Sequence, residues 1–178
     1  MGGVSEAEFA EVYLGRARAL RRTAYLLCGD WHRAEDLVQA SFVRLYVAWP
    51  RIRDVGAVDA YLRQTLVHIY LDDARRMWHG ERPTAELPDD LASPGAAIED
   101  RLLLVAVLAE IPPRQRACLV LRYFEDCSVE STARALGCST GTVKSNTARG
   151  LDALRAQLTE HPDLAASVGD SLRSGLHA

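Results

Sequence analysis

Hydrophobic positions recur along this chain at three- and four-residue steps, and strand-like alternation flanked by turn dipeptides is scarce. The pattern predicts an all-α fold. A first helix is expected from about Glu6 to Leu27, with Phe9, Val12, Tyr13, Leu20, Ala24 and Leu27 on its apolar side. Gly29 and Asp30 break it, and Asp30 is placed to cap a second helix from Trp31 to about Ala48. The stripe of that helix is Ala34, Leu37, Val38, Phe42, Leu45 and Trp49. Pro50 closes it, because the residue before a proline is pushed out of helical geometry. After a loop from Arg51 to Val58, a third helix runs from about Asp59 to Trp78 on Tyr61, Leu62, Leu66, Ile69 and Tyr70, with Arg75, Arg76 and His79 at its far end.

The pattern then changes. Residues 80–97 hold Pro83, Pro88 and Pro94, which exclude a continuous helix, together with Glu81, Glu86, Asp89 and Asp90. This stretch is read as a flexible acidic linker between two small helical domains, 6–79 and 98–158, with a tail at 159–178 to which no role is assigned. In the second domain Ile98, Leu102, Val105 and Leu108 mark one helical piece, and Pro113 is tolerated as the first residue of the next.

The stretch Ser128–Leu158 reads as a helix pair. Ser128 is an N-cap candidate, Val129, Ala133 and Leu136 form a stripe, and Gly137 ends the first helix where a left-handed residue is needed. Ser139 or Thr140 caps a second helix that turns Val143, Thr147, Leu151, Leu154 and Leu158 inward, and Lys144, Ser145, Ala148, Arg149 and Arg155 outward. A short helix, a glycine turn and a second helix with a small, basic outer face is the helix-turn-helix layout, whose second helix enters the major groove of DNA. Periodicity alone also fits a plain bundle segment.

Composition narrows the function. The chain of 178 residues has 48% hydrophobic and 25% charged residues, as a globular protein does. Its net charge of −3 argues against coating nucleic acid by bulk charge, and leaves a reader whose cations are local. No long apolar run or secretory signal is seen, so a cytoplasmic protein is expected. Cys28, Cys118, Cys127 and Cys138 lack zinc-ligand spacing; Cys28 and Cys118 are expected to be small buried hydrophobes. No phosphate loop, nucleophile elbow or HExxH motif is present, and the five histidines do not cluster, so neither catalysis, a metal nor a cofactor is expected.

Longer phrases carry a resemblance. GTVKS followed by Arg149-Gly150-Leu151, after PPRQRACLVLRYFEDCSVESTARALGCS, resembles region 4 of the sigma factors of bacterial RNA polymerase. AEDLVQASFVRLYVAWPRI and AYLRQTLVHIYLDDARR resemble region 2. Two domains joined by an acidic linker, without the intervening region 3, resemble the extracytoplasmic-function (ECF) group, and YVAWPRI, YLRQTLV and RPTAELPD look most like its SigE-like branch.

The resemblance implies a non-enzymatic promoter-specificity subunit. Its partners would be core RNA polymerase, through clamp and flap regions, and promoter DNA, duplex at −35 and single-stranded at −10; an anti-sigma factor is a candidate partner. Asp36, Leu37, Gln39, Phe42 and Leu45 match the segment that docks on the clamp, although Ala40 replaces an acidic residue many relatives carry. Arg53 and Asp54, in the loop that captures an unstacked base, and His68, Asp72, Arg75 and Arg76 match the −10-binding part. His68 stands where relatives usually have asparagine. Arg122, Lys144, Ser145, Ala148 and Arg149 match the −35 contacts, with Ala148 smaller than the usual residue. The alternative is a stand-alone helix-turn-helix regulator, which would bind its operator without polymerase.

Overall fold

The computed structural model describes residues 6–77 and 98–160, and every regular element among them is helical. Trp78, His79, the 80–97 stretch and the tail beyond Glu160 lie outside the described residues. The N-terminal half is a bundle of α1 (Glu6–Cys28), α2 (Trp31–Ala48) and α3 (Val58–Met77). The C-terminal half comprises α4 (Ile98–Ala109), α5 (Pro113–Leu119), α6 (Val129–Leu136) and α7 (Thr140–Glu160).

Local chemistry sets the boundaries. Gly29 takes the left-handed conformation that reverses the chain after α1, and the Asp30 side chain accepts a hydrogen bond from the Arg33 amide at 2.8 Å. α2 ends at Ala48, as the sequence predicts, but Trp49 is not pushed out of helical geometry by Pro50. Trp49 stays in helical geometry and the chain continues as a single 3₁₀ turn, Trp49–Arg51, before Ile52 becomes extended. Burial outweighs the pre-proline preference here: Trp49 is buried and meets Phe9 edge to face at 5.3 Å, beside further contacts of Phe9 with Phe42 and Tyr46. Pro113 occupies the first turn of α5, as expected. A π-helical turn, Val120–Phe124, follows α5, closed by a bond from the Glu125 amide to Val120 O at 3.1 Å.

One hydrophobic cluster runs through both halves. Leu27, Leu37, Leu45, Leu62 and Leu66 fill the first bundle, and Leu108, Ile111, Leu121 and Val143 the second. The halves also touch directly: α1 packs on α4 and α5, and α3 packs on α5 and α6. Arg116, 8% exposed, sits at this joint. It donates to Ile111 O at 3.0 and 3.3 Å, to Ala109 O at 2.6 Å and across the joint to Leu27 O at 2.6 Å. Those carbonyls lie at the ends of α1 and α4, where the helix leaves acceptors unpaired and its dipole favours a cation. Hydrogen bonds to a charged group contribute about 1.5–3 kcal/mol each, which explains how an arginine with no carboxylate partner among the described residues stays buried.

Candidate nucleic-acid interface

The helix pair α6–α7 is built as its sequence predicts. Ser128 Oγ accepts from the Ser131 amide at 3.0 Å, and Glu130 in the same turn has its carboxyl held below the usual range, first by a backbone amide and then by the Ser128 hydroxyl. Gly137 adopts φ 60°, ψ 42°, and the next amide, of Cys138, bonds back to Ala133 O at 3.0 Å. Of the two cap candidates for α7 it is Ser139 that serves, accepting from the Thr142 amide at 3.1 Å. Val143 and Leu154 are buried and Thr147, Leu151 and Leu158 half-buried, which fixes the rotation of α7. Gly150 allows α7 to lie against α5, since a Cβ there would stand 3.1 Å from the Leu119 side chain.

The rotation leaves Lys144, Ser145, Ala148 and Arg149 exposed together. Among the described residues, Lys144 and Arg149 form no salt bridge, whereas Arg155 is tied to Asp152 at 2.9 Å. Ser145 Oγ bonds to Thr142 O within the helix at 3.0 Å. Arg122 stands apart from this face: it lies half-buried in the π-helical turn, and its guanidinium donates to Cys127 O.

In the N-terminal half the residues matched to −10 binding fall in two places. The loop ahead of α3 encloses a pocket of about 330 Å³ lined by Arg51, Ile52, Arg53, Asp54, Ala57 and Tyr61. Its shape is set by Asp54, whose carboxylate accepts from the Gly56 amide at 2.8 Å and so caps the 3₁₀ turn Val55–Ala57. Further along, His68 and Asp72 are half-buried and Arg75 and Arg76 exposed on α3. Arg75 bonds to Asp72, which lowers the Asp72 carboxyl below its usual range. His68 faces the helix pair, its Nε2 3.8 Å from where a side chain at Gly137 would begin. Between the halves lies a cleft of about 860 Å³, with Leu71, Ala74, Leu136 and Pro112 among its apolar walls and Arg44, Arg75 and Arg114 among its charged ones.

On α2 the matched residues divide. Asp36 and Gln39 are exposed, but Leu37, Phe42 and Leu45 are buried in the bundle core. Those three cannot meet a partner directly; they seat the helix that presents the other two. The outer face instead adds Val43, 63% exposed, and Val47, 73% exposed, which fall on the same side as Asp36 and Gln39 at three- and four-residue steps. The sequence signal for them was available: two valines outside the core stripe of a helix whose stripe is already complete.

The cysteines serve the core. Cys28, Cys118 and Cys127 are buried, and burial pushes the Cys28 thiol up to about 11 and the Cys118 thiol up to about 12. No cluster of His, Cys, Asp and Glu suited to a metal ion occurs among the described residues, nor any helix long and apolar enough to cross a membrane.

Comparison with known proteins places these surfaces in context. The family model for Sigma-70 region 2 matches residues 13–79, and that for Sigma-70, region 4, matches residues 101–154. The chain is 43% identical over 162 residues to the RNA polymerase sigma-E factor of Streptomyces avermitilis, covering 89% of each. It is 32% identical over 143 residues to the ECF RNA polymerase sigma factor SigM of Mycobacterium tuberculosis, covering 79% of this chain and 72% of that one. Its fold is similar to that of the sigma factor RpoE of Bartonella quintana, solved in complex with the anti-sigma factor NepR, with a TM-score of 0.68 at 21% identity, covering 85% of this chain and 97% of that chain.

Proposed function

The chain belongs to the sigma-70 family, as an ECF-type sigma factor and so a non-enzymatic promoter-specificity subunit of RNA polymerase, and from that premise we propose which of its surfaces does which part of the work. Residues 98–158 read the −35 element as duplex, through Lys144, Ser145, Ala148 and Arg149 on the open face of α7. The observation that carries this is a pair of cations with no salt bridge among the described residues, beside two small side chains on the exposed face of α7. Small residues let the helix sink into the groove while the long ones reach guanine edges and phosphates. Arg122 joins them when its bond to Cys127 O is given up.

Residues 6–79 dock on the polymerase and hold the −10 element as single strand. Asp36, Gln39, Val43 and Val47 offer a polar and apolar stripe to a partner helix. The 330 Å³ pocket at Arg53 and Asp54 has the place and polarity to receive one unstacked base. His68, Asp72, Arg75 and Arg76 follow the strand along α3. Residues 80–97 connect the two domains. The protein acts with the polymerase on the nucleoid. An anti-sigma factor is a further partner; the cleft between α3 and α6, apolar with an arginine rim, suits an acidic helical segment.

The test is transcription of genomic DNA by core polymerase with and without this chain, with the 5′ ends mapped. New start sites sharing −10 and −35 sequences are expected only when the chain is present; an unchanged set of starts, with DNA bound by the chain alone, would favour the stand-alone regulator. Docking is checked separately. Asp36→Arg with Gln39→Ala should reduce co-purification with core enzyme, and unchanged co-purification would remove α2 from that interface.

A further inference from the structure

The first helix of the pair, α6, carries a single acidic side chain, and it stands beside two of the cations proposed to meet the −35 element. Glu130 is exposed in the first turn. Its carboxylate is seated by its own backbone amide and then by the Ser128 hydroxyl, which hold it at the start of the helix and lower its carboxyl below the usual range. Arg134 lies one turn on, at the spacing where a Glu–Arg pair commonly forms, but its guanidinium donates to Ser131 Oγ at 2.8 Å instead. The Glu130 carboxylate therefore stays at the N-terminal end of α6.

Two cations from other elements act on it there. Arg122 donates to Cys127 O, one residue ahead of the Ser128 cap, which puts its guanidinium at the same end of α6. Lys144 belongs to α7, which packs on α6. Both charges bear on the carboxylate, although neither forms a salt bridge with it among the described residues. Arg149 is not one of the charges that bear on it; it lies five residues beyond Lys144, roughly 7.5 Å further along the axis of α7.

The arrangement treats the two kinds of DNA contact differently. In a helix-turn-helix the first helix crosses the phosphate backbone and the second reads base edges. A carboxylate at the start of α6 repels the phosphates of any duplex, whatever its sequence, and offsets part of the attraction that Lys144 and Arg122 exert on them. A guanidinium bonded to a base edge further along α7 feels it less, because salt and water screen the field over about 8–10 Å.

We propose that Glu130 restrains sequence-independent binding at the −35 element: it cancels about one phosphate contact of Lys144 and Arg122 and leaves the base contact of Arg149 in place, so that the duplex is held by its bases more than by its backbone. This rests on the reading of α7 as the −35 helix. The net charge of −3 acts on bulk DNA in the same sense for the chain as a whole.

Binding of the holoenzyme to two short duplexes, one carrying the −35 element and one with that element scrambled, tests this over a series of salt concentrations, with core polymerase alone as the baseline. E130Q keeps the side-chain volume and removes the charge. It should tighten both duplexes by the same factor, roughly twofold to threefold at low salt, and steepen the plot of log affinity against log salt by up to about one unit. E130D keeps the charge and should stay nearer the parent in both respects, with helicity by circular dichroism confirming that each variant is folded. Base preferences in a randomised −35 library should not move. An E130Q holoenzyme with parental affinity and slope would overturn the restraint. So would one that binds both duplexes more weakly without a steeper plot, which is the signature of a purely structural role in the first turn of α6. Weaker binding of the −35 duplex alone would make Glu130 a base contact and overturn it equally. If E130Q steepens the plot as expected while the parent does not separate the two duplexes, the restraint stands and the −35 reading of α7 falls.

Discussion

The two helices proposed to read DNA in this sigma factor are prepared differently. α7 presents Lys144 and Arg149 to solvent, with no salt bridge to either among the described residues, beside Ser145 and Ala148. α3 has Arg75 bonded to Asp72, and His68 turned towards Gly137 of the other half. The difference fits what each is proposed to read. A duplex offers its groove to anything that protrudes, and a cation can wait in water at little cost. Unpaired strands exist only after melting, so the surface that holds them can be engaged within the protein until then. One helix stands clear of the other half and the other faces it across the cleft, and each can be perturbed separately.

The largest effect is expected on the helix that stands clear. Arg149→Ala removes the one exposed guanidinium among the proposed contacts on α7. Loss of a bidentate base contact costs ~1–3 kcal/mol and relaxes preference at that base. Transcript sequencing from a randomised −35 library, with the mutant holoenzyme, should therefore show lower output and one or two blurred positions. Lys144→Ala sharpens the comparison within the same helix. A phosphate contact carries no sequence information, so output should fall on all sequences alike, and the salt dependence should flatten by about one unit of slope. Parental output and preferences in both mutants would take α7 off the DNA.

Sequence reading succeeded where the determinants are local. The Ser128 and Asp30 caps, the left-handed Gly137 and the outward set on α7 each depend on residues within a few positions. It failed where the partner is distant. Arg116 lies in the run PRQRACLVL, next to an apolar stretch, and only the carbonyl ends of α1 and α4 explain its burial. Leu37, Phe42 and Leu45 matched a docking phrase, but a phrase does not say which residues present the face and which support it; packing against α1 and α3 decides that. Trp49 kept helical geometry against the pre-proline rule because an aromatic cluster held it. The contact of Glu125 with Thr23 and Arg63 joins residues about a hundred and about sixty positions apart, which no periodicity encodes.

The smallest effect, and the one whose sign separates two roles, concerns Asp72. Its bond to Arg75 spans one helical turn with both side chains largely open to water, where such pairs contribute little. If the carboxylate restrains Arg75, Asp72→Asn frees a guanidinium and removes a negative charge beside the strand. Affinity for a single-stranded −10 oligonucleotide should then rise about twofold to threefold, the scale of such a pair. If Asp72 instead accepts a bond from a base, the same change should lower affinity and alter preference at one position. Measuring a panel of oligonucleotides with each −10 base replaced distinguishes the outcomes. The pH dependence supplies an internal check. Arg75, then the charges of Arg76 and His68, hold the folded carboxyl below its usual range, so the pair is fully present above the ordinary carboxylate value and is lost only as pH falls through the lower, folded one. Between about pH 6 and 8 the carboxylate does not titrate. The ratio of mutant to parent affinity should accordingly show no step from this carboxylate across that range, and a drift there would report a neighbouring charge that the Asp72 change has altered.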